Sequence, residues 1–425
     1  MFQWSEEQLM LKDAVRRFME TEVEPHLDAL EHEGMPPYDI LRKMMSTFGI
    51  DAMSTANFEK RIEREKAIES GAIEDPGPTI SRSANRTGTD DDMNAVAFQL
   101  IPIIELCRYC PGMVTAMGVS IGLTAGAINS KGTIAQRERW VPEILTMEKI
   151  GAWAITEPDS GSDAFGGMKA SAVRDGDEFV LNGAKTFITN GPHADTIVFI
   201  CKLDEGNPVR ERRILNFVLD RGTPGLEQTP PMRKMGMSSS PTGQLFLDDV
   251  RVGADRLLGG LEGLETGEDS SGKAGAKGTF STERSGVAAM ALGIVERCLE
   301  LSTVYANERV QWDQPIGSYQ LIQLKLAKME VARMNLENLV FRFIEQAAHG
   351  VPMTFAEASA MKLYSAQVAT EVALEAVQLF GGNGYMAEYR VEQLARDAKV
   401  LQIYAGTDEM QIRAIARDLL DRASA

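Results

Sequence analysis

Hydrogen-bonding groups crowd one short stretch of the chain. The apolar run from Ile150 to Ile155 breaks into Thr156-Glu-Pro-Asp-Ser160-Gly-Ser162-Asp163, small side chains dense in hydroxyls and carboxylates. A second run, Lys185-Thr-Phe187-Ile-Thr189-Asn-Gly191, ends likewise in hydroxyl, amide and glycine. Strand ends of this composition are where a scaffold presents donors to a ligand. Two so close in sequence predict one polar ligand gripped by both; either alone would read equally well as an ordinary turn.

Other candidate chemistry is weaker. Cys107-Arg-Tyr-Cys110 has the spacing of redox and zinc sites, yet no second such pair follows and His26, His32, His193 and His349 are scattered. Buried free thiols are the expectation, and no metal site is predicted. Gly267-x-x-x-x-Gly272-Lys273 fits a phosphate loop up to its last position, where Ala274 replaces the magnesium-binding hydroxyl. Nucleotide triphosphate binding is rejected there.

The elements that must carry these groups are legible in the patterning. The 425 residues exceed one comfortable core, which predicts several subdomains. Ser5-Glu-Glu-Gln8 reads as a capping box opening a helix, Pro25 as its end or kink, and Tyr38 to Phe48 as a second helix. Residues 56–93 form a polar excursion: a charged helix, then Asp-Pro-Gly-Pro and a polar loop. Helical patterning resumes from Met93 to Cys110 and from Met113 to Ile128. From Gly151 the texture is β, with runs at Ser171–Asp175, Glu178–Leu181, Lys185–Thr189, Thr196–Leu203, Arg213–Leu219 and Gln244–Val252. Asn182-Gly183 reads as a tight hairpin turn, and the strand spacing predicts a small antiparallel sandwich or barrel. Helices return from Ser281. The predicted order is a helical domain over 1–150, a β domain over 151–257, a Gly/Ser-rich linker over 258–279 and a helical domain over 280–425: mainly α with a central β domain.

Bulk properties exclude several classes. A net charge of −17 argues against a nucleic-acid partner. No apolar run reads as long enough to cross a bilayer, so no membrane insertion is expected. The opening residues resemble no signal or transit peptide, which predicts a cytoplasmic protein.

At this point seven stretches in order resemble the acyl-CoA dehydrogenase family of flavoproteins: Thr156–Asp163; Asn182-Gly-Ala-Lys185 with Phe187–Gly191; Lys234-Met-Gly236; Arg309-Val-Gln-Trp312-Asp-Gln-Pro315-Ile316 with Gln320; Gln378-Leu-Phe-Gly381-Gly382-Asn-Gly384-Tyr385; Arg396-Asp397; and Tyr404-Ala-Gly406-Thr407. The match covers about two-thirds of the chain well. The first 150 residues share helical texture and Gly132-Thr133…Gln136, but lack the family's Gly-Gly-x-Gly segment where 56–93 sits. The resemblance implies FAD, an acyl-CoA dehydrogenase-like α-domain, β-barrel and α-domain (four-helix bundle), and a homotetramer. It implies that Thr156 and Thr189 bond the flavin ring, that Phe187 packs on it, and that Ser162 meets phosphates or substrate. Arg309, Trp312, Gln320, Gln378, Gly381 and Gly382 would reach the adenosine end of a neighbouring subunit's FAD. Thr407 and Glu409 would meet FAD at the last helix, whose N-terminus suits a pyrophosphate. Trp312-Asp313 departs from the family's usual Phe-Gly.

The reaction implied is α,β-dehydrogenation of an acyl-CoA: a carboxylate takes the Cα proton, and electrons pass on to electron-transferring flavoprotein. Many members carry the base just before the Gly-Thr of the last motif, where this chain has Ala405. A minority, resembling isovaleryl-CoA and long-chain acyl-CoA dehydrogenases, place it before the arginine opening the first C-terminal helix. Ser281-Thr-Glu283-Arg284 supplies Glu283 at that point. Glu283 is therefore the candidate base, with the Ala405 backbone N–H as donor to the thioester oxygen and Arg284 and Tyr404 beside the substrate. Glu157, Asp159 and Asp163 are set aside as bases. An oxidase of the same fold and a non-catalytic subunit of a mixed tetramer stand as alternatives.

Overall fold

The computed structural model describes residues 3–74, 88–266 and 272–424, with the side chains of 266–283 and 285 outside that description. The excursion's residues 75–87 and the middle of the phosphate-loop lookalike, 267–271, fall outside it as well.

The first helix begins where the sequence says. In α1 (Glu6–Phe18) the Gln8 N–H donates to Ser5 Oγ at 3.2 Å and the Ser5 N–H donates to Gln8 Oε1 at 3.0 Å, closing the capping box. A short wide turn and Pro25 then bend the chain into α2 (Leu27–His32). Next come α3 (Tyr38–Thr47) and the charged α4 (Ile50–Glu69). The latter docks through Phe58 and Ile62 and, through the Arg137–Glu65 and Lys66–Glu138 ion pairs, onto a later helix. The helix α5 (Asp90–Tyr109) is followed by α6 (Pro111–Lys131) and α7 (Ile134–Leu145).

The helix α6 corrects one expectation. It is 21 residues long and, by length and composition, apolar enough to cross a membrane. Half of it is buried inside the protein. Its middle, Gly118–Ala125, winds as a π-helix, and Ser120 in that segment accepts the Gly151 N–H at 2.8 Å.

The β domain is one seven-stranded sheet: β1 (Gly151–Ala154), β2 (Ser171–Asp175), β3 (Glu178–Thr189), β4 (Thr196–Leu203), β5 (Ile214–Asp220), β6 (Leu226–Gln228) and β7 (Thr242–Gly253). The order is β1-β4-β2-β3-β7-β6, with β5 on the other side of β4. The expectation of a wholly antiparallel sheet fails in two places, since β1 and β2 both run parallel to β4. The predicted hairpin at Asn182-Gly183 is also absent. Those residues sit inside β3 at a bulge. Asn182 spends its amide across the strands, donating to Asp249 Oδ1 at 3.0 Å and accepting the Asp249 N–H at 2.9 Å. Gly183 takes φ +150, and a Cβ there would lie 2.6 Å from that of Ala170. Asparagine-glycine serves a bulge as well as a turn.

The predicted linker over 258–279 is partly helical: α8 (Gly260–Thr266) lies within it, and α9 (Gly272–Glu308) starts before it ends. Glycine costs a helix interior about 1 kcal/mol, which packing elsewhere can override. A two-stranded ribbon, β8 (Val310–Gln311) and β9 (Gln314–Pro315), leads into α10 (Gln320–Ala348), α11 (Phe355–Phe380), α12 (Val391–Val400) and α13 (Asp408–Ala423). Two cores result. One joins the N- and C-terminal helices, and the other lies under the sheet with α4, the end of α6 and α7.

Candidate functional site

The two donor-rich strand ends meet. Just beyond β1, the Thr156 carbonyl accepts the Thr186 N–H from β3 at 2.9 Å. Lys185 is fully buried, and its Nζ donates to the Ile155 carbonyl at 3.0 Å and to Glu157 Oε1 at 2.9 Å. Burial lowers the Lys185 pKa, and the Glu157 charge opposes that shift. Immediately after Lys185 the strand slips register. In that bulge Phe187 takes φ +57 and turns its ring outward, 66% exposed. An aromatic residue at positive φ is uncommon, and such conformations gather at functional sites. Thr156 and Thr189 are half-buried beside it, while Ser162 is exposed on its loop.

Asn190 fixes this end of β3 and was not singled out from sequence, although Thr189-Asn-Gly marked the place. It is fully buried at φ +64. Its Nδ2 donates to the carbonyls of Ala116 and Gly151, each at 2.9 Å, and its Oδ1 accepts the Tyr38 hydroxyl at 3.1 Å. One side chain thus ties α3, α6 and β1 to the strand end.

A second group assembles at the ribbon after α9. Trp312 and Asp313, at φ +50 and +61, form its two-residue turn, the conformation a type I′ hairpin requires. Trp312 is 80% exposed, and its ring meets Tyr319 edge-on with centroids 5.8 Å apart. With Ile316, Gln320 and Leu379 these rings line a cavity of about 630 Å³. Arg309 stands at the start of the ribbon, exposed, and accepts the Ile316 N–H at 2.8 Å through its carbonyl. Gln378 lies beside Leu379, and α11 ends at Gly381 with φ +62. A Cβ added at Gly381 or Gly382 would touch none of the described residues. This group shares no hydrogen bond with the strand ends among the described residues.

The third group surrounds the loop before α13. Ala405 takes φ +53 and Gly406 φ +86. Their carbonyls are held inward: Gln411 Nε2 donates to both, at 3.2 and 2.7 Å, and Lys362 Nζ donates to Gly406 at 2.9 Å. Among the described residues the Ala405 N–H has no acceptor. Arg284, expected beside the substrate, is buried against the loop. Its Nε donates to the Ala405 carbonyl at 3.4 Å, its Nη1 to Ser359 Oγ at 2.9 Å, and its guanidinium stacks 4.1 Å over Phe355. Tyr404 is half-buried and points its hydroxyl at Met290 Sδ, 3.2 Å away. Glu283 lies on α9, with its side chain outside the described residues. Thr407 is the N-cap of α13, with no side-chain capping bond to the helix backbone. Exposed Glu409 has its pKa lowered by its own backbone N–H and by Thr407.

A titratable cluster joins the domains behind this loop. Asp397 is fully buried and accepts the Met237 N–H. Burial, with the Glu31 charge, pushes its pKa up to about 7. Glu31 is raised by burial and pairs with Arg396 at 3.3 Å, and burial lowers Lys234 to about 8. Cys107 and Cys110 are free and buried, with Cys110 Sγ 3.0 Å from Ser239 Oγ.

Sequence models of three domains match this chain: acyl-CoA dehydrogenase N-terminal domain over 5–55 and 90–148, middle domain over 152–250, and C-terminal domain over 270–420. The short-chain specific acyl-CoA dehydrogenase of Megasphaera elsdenii is 36% identical over 78% of this chain and 84% of its own length. Among solved structures, butyryl-CoA dehydrogenase from Megasphaera elsdenii superposes with a TM-score of 0.81 at 31% identity, covering 99% of this chain and 100% of that one. A chain from a study of the electron transferring flavoprotein of Acidaminococcus fermentans superposes with a TM-score of 0.78 at 30% identity, covering 99% of both.

Proposed function

The chain belongs to the acyl-CoA dehydrogenase family and is an FAD-dependent acyl-CoA dehydrogenase, and we propose how its residues divide the reaction. The observation that carries the reading is the loop at Ala405. Arg284 and Gln411 hold its carbonyl inward, while its N–H has no acceptor among the described residues. A backbone donor fixed in this way suits the thioester oxygen as negative charge develops there, an effect worth on the order of 10²–10³ in rate. Glu283 precedes the arginine that reaches this loop, so its carboxylate is the group we assign to removing the Cα proton. Ala405 itself, where many relatives carry the base, has no proton acceptor in its side chain.

The residues at the strand ends fit a flavin. Phe187 offers an exposed ring and Thr156 and Thr189 half-buried hydroxyls at one place. The 630 Å³ cavity at Trp312 and the open space over Gly381 and Gly382 suit an adenosine. When bound, FAD supplies the acceptor for the hydride leaving Cβ. In this reading Thr156, Thr189 and Phe187 orient the ring, Ser162 contacts phosphates or substrate, and Tyr404 flanks the acyl group. Arg309, Trp312, Gln320 and Gln378 hold the far end of a neighbour's FAD, and Thr407 and Glu409 stand at the helix start beside it.

That division needs a second copy, and a homotetramer accounts for the apolar side chains that α10 exposes, among them Leu321, Leu324, Val331 and Met334. Electron-transferring flavoprotein is the proposed electron acceptor, and the cytoplasm the proposed location, where four free buried cysteines fit a reducing compartment. Branched or cyclic acyl groups are the proposed substrates, since Ala405 leaves room where a glutamate would stand.

The test is Glu283→Gln in the FAD-loaded protein. Anaerobic bleaching of the flavin by acyl-CoAs of graded length and branching should slow by about 10²–10⁴, the usual contribution of a general base. Undiminished bleaching removes Glu283 from the role.

A further inference from the structure

We propose that Lys185 and Glu157 form a buried clamp that sets the spacing of the flavin-facing groups, and that they are positioning residues for the cofactor. The inference rests on the flavin reading of Thr156, Phe187 and Thr189. Thr156 precedes Glu157 in one loop, and Phe187 and Thr189 follow Lys185 in one strand. The pair therefore joins the two ligand-bearing segments at their roots.

The geometry is closed on every side. Lys185 Nζ bridges the Ile155 carbonyl and Glu157 Oε1, one residue to either side of Thr156. The Glu157 carboxylate is satisfied in turn by the Ala170 N–H on Oε1 at 3.0 Å and the Lys169 N–H on Oε2 at 2.6 Å. The ammonium stands 5.3 Å from the centroid of Phe199 in the sheet core. Glu157 also exchanges backbone bonds with Ser160, at 3.2 and 3.1 Å, which folds the loop back on itself. The side chains are 0% and 5% exposed. A fully desolvated pair is weak evidence of added stability, because apolar side chains of like volume often do as well. Its fixed lengths and directions are what an apolar pair lacks. Here they act beside a bulge that leaves Phe187 at positive φ, where the strand's own ladder no longer fixes the backbone.

The experiment compares Lys185→Met and Glu157→Gln with Thr156→Val and with Lys12→Met. Lys12 pairs with Glu105 and Glu296 in the helical core, away from the strand ends. Each purified variant is melted and titrated with FAD, with the visible flavin spectrum recorded at saturation. Lys185→Met and Glu157→Gln should each weaken FAD binding about tenfold or more, the effect of misplacing roughly one hydrogen bond, and shift the flavin bands. Lys12→Met should lower the melting temperature and leave FAD affinity and spectrum alone. If both clamp variants behave like Lys12→Met, the clamp is refuted. If one fails to fold, the other decides. If Thr156→Val also leaves affinity and spectrum unchanged, the flavin assignment of the strand ends fails with it; a Thr156→Val shift with silent clamp variants refutes the clamp alone.

Discussion

Asn190→Ala tests whether one buried amide holds the domains together at the site. The substitution removes both donations from Nδ2, to Ala116 and Gly151, and the acceptance from Tyr38. Each lost bond leaves a buried group unpaired, at about 1–1.5 kcal/mol apiece. Alanine at φ +64 adds about 1 kcal/mol that asparagine largely escapes, because its short polar side chain tolerates the left-handed region. The total is about 4–5 kcal/mol. Unfolding entropy near 2.1 cal/mol/K per residue, over 425 residues, makes this a fall of roughly 5 °C in melting temperature by calorimetry. Asn190→Gly loses the same bonds without the backbone cost and should melt about 1 °C above the alanine variant. An alanine variant melting within about 1 °C of the parent would refute the reasoning, since it would mean that the three partners find others at no cost.

Two further substitutions test the last loop and the cluster behind it. Gly406→Ala places a side chain at φ +86 with its Cβ 2.9 Å from Gln411 Nε2. It should cost about 1–2 kcal/mol and tilt the Ala405 N–H, so steady-state kinetics should show kcat falling more than KM rises. Asp397→Asn tests pH dependence. The folded pKa of about 7 lies above the ordinary unfolded value near 4, so this group's contribution is full below pH 4 and is lost as pH rises toward 7. Glu31 is shifted in the same direction and adds to the trend. Asparagine mimics the protonated form and accepts the same Met237 N–H. Its melting temperature should therefore change less than the parent's between pH 5 and 7; equal slopes would refute the assignment.

Local chemistry made much of the fold legible. The capping box at Ser5 marked α1, and the run Thr196–Leu203 matched β4 residue for residue because a strand buried along its whole length reads as a near-continuous apolar run. The hairpin was misread because the local meaning of a residue pair can be settled from far away. Asn182-Gly183 is a turn or a bulge depending on Asp249, 67 residues on. At the site, motif order brought Thr156, Phe187 and Thr189 forward. Lys185 and Glu157 lie inside the same motifs, but nothing in their spacing says that they are buried and facing.

The π-wound middle of α6 makes that helix a keyed shaft. Before it, Met113, Val114 and Ala116 point into the helical core; at its last residue and beyond, Ala125 and Ile128 point into the core beneath the sheet. A regular helix advances about 100° per residue and keeps one apolar stripe in line. The wider winding offsets the second stripe from the first, so a single rod engages two compartments that face it from different bearings. Residue number between Met117 and Gly126 thereby sets an angle as well as a length, and a change of one residue there would turn one end of the shaft out of its socket.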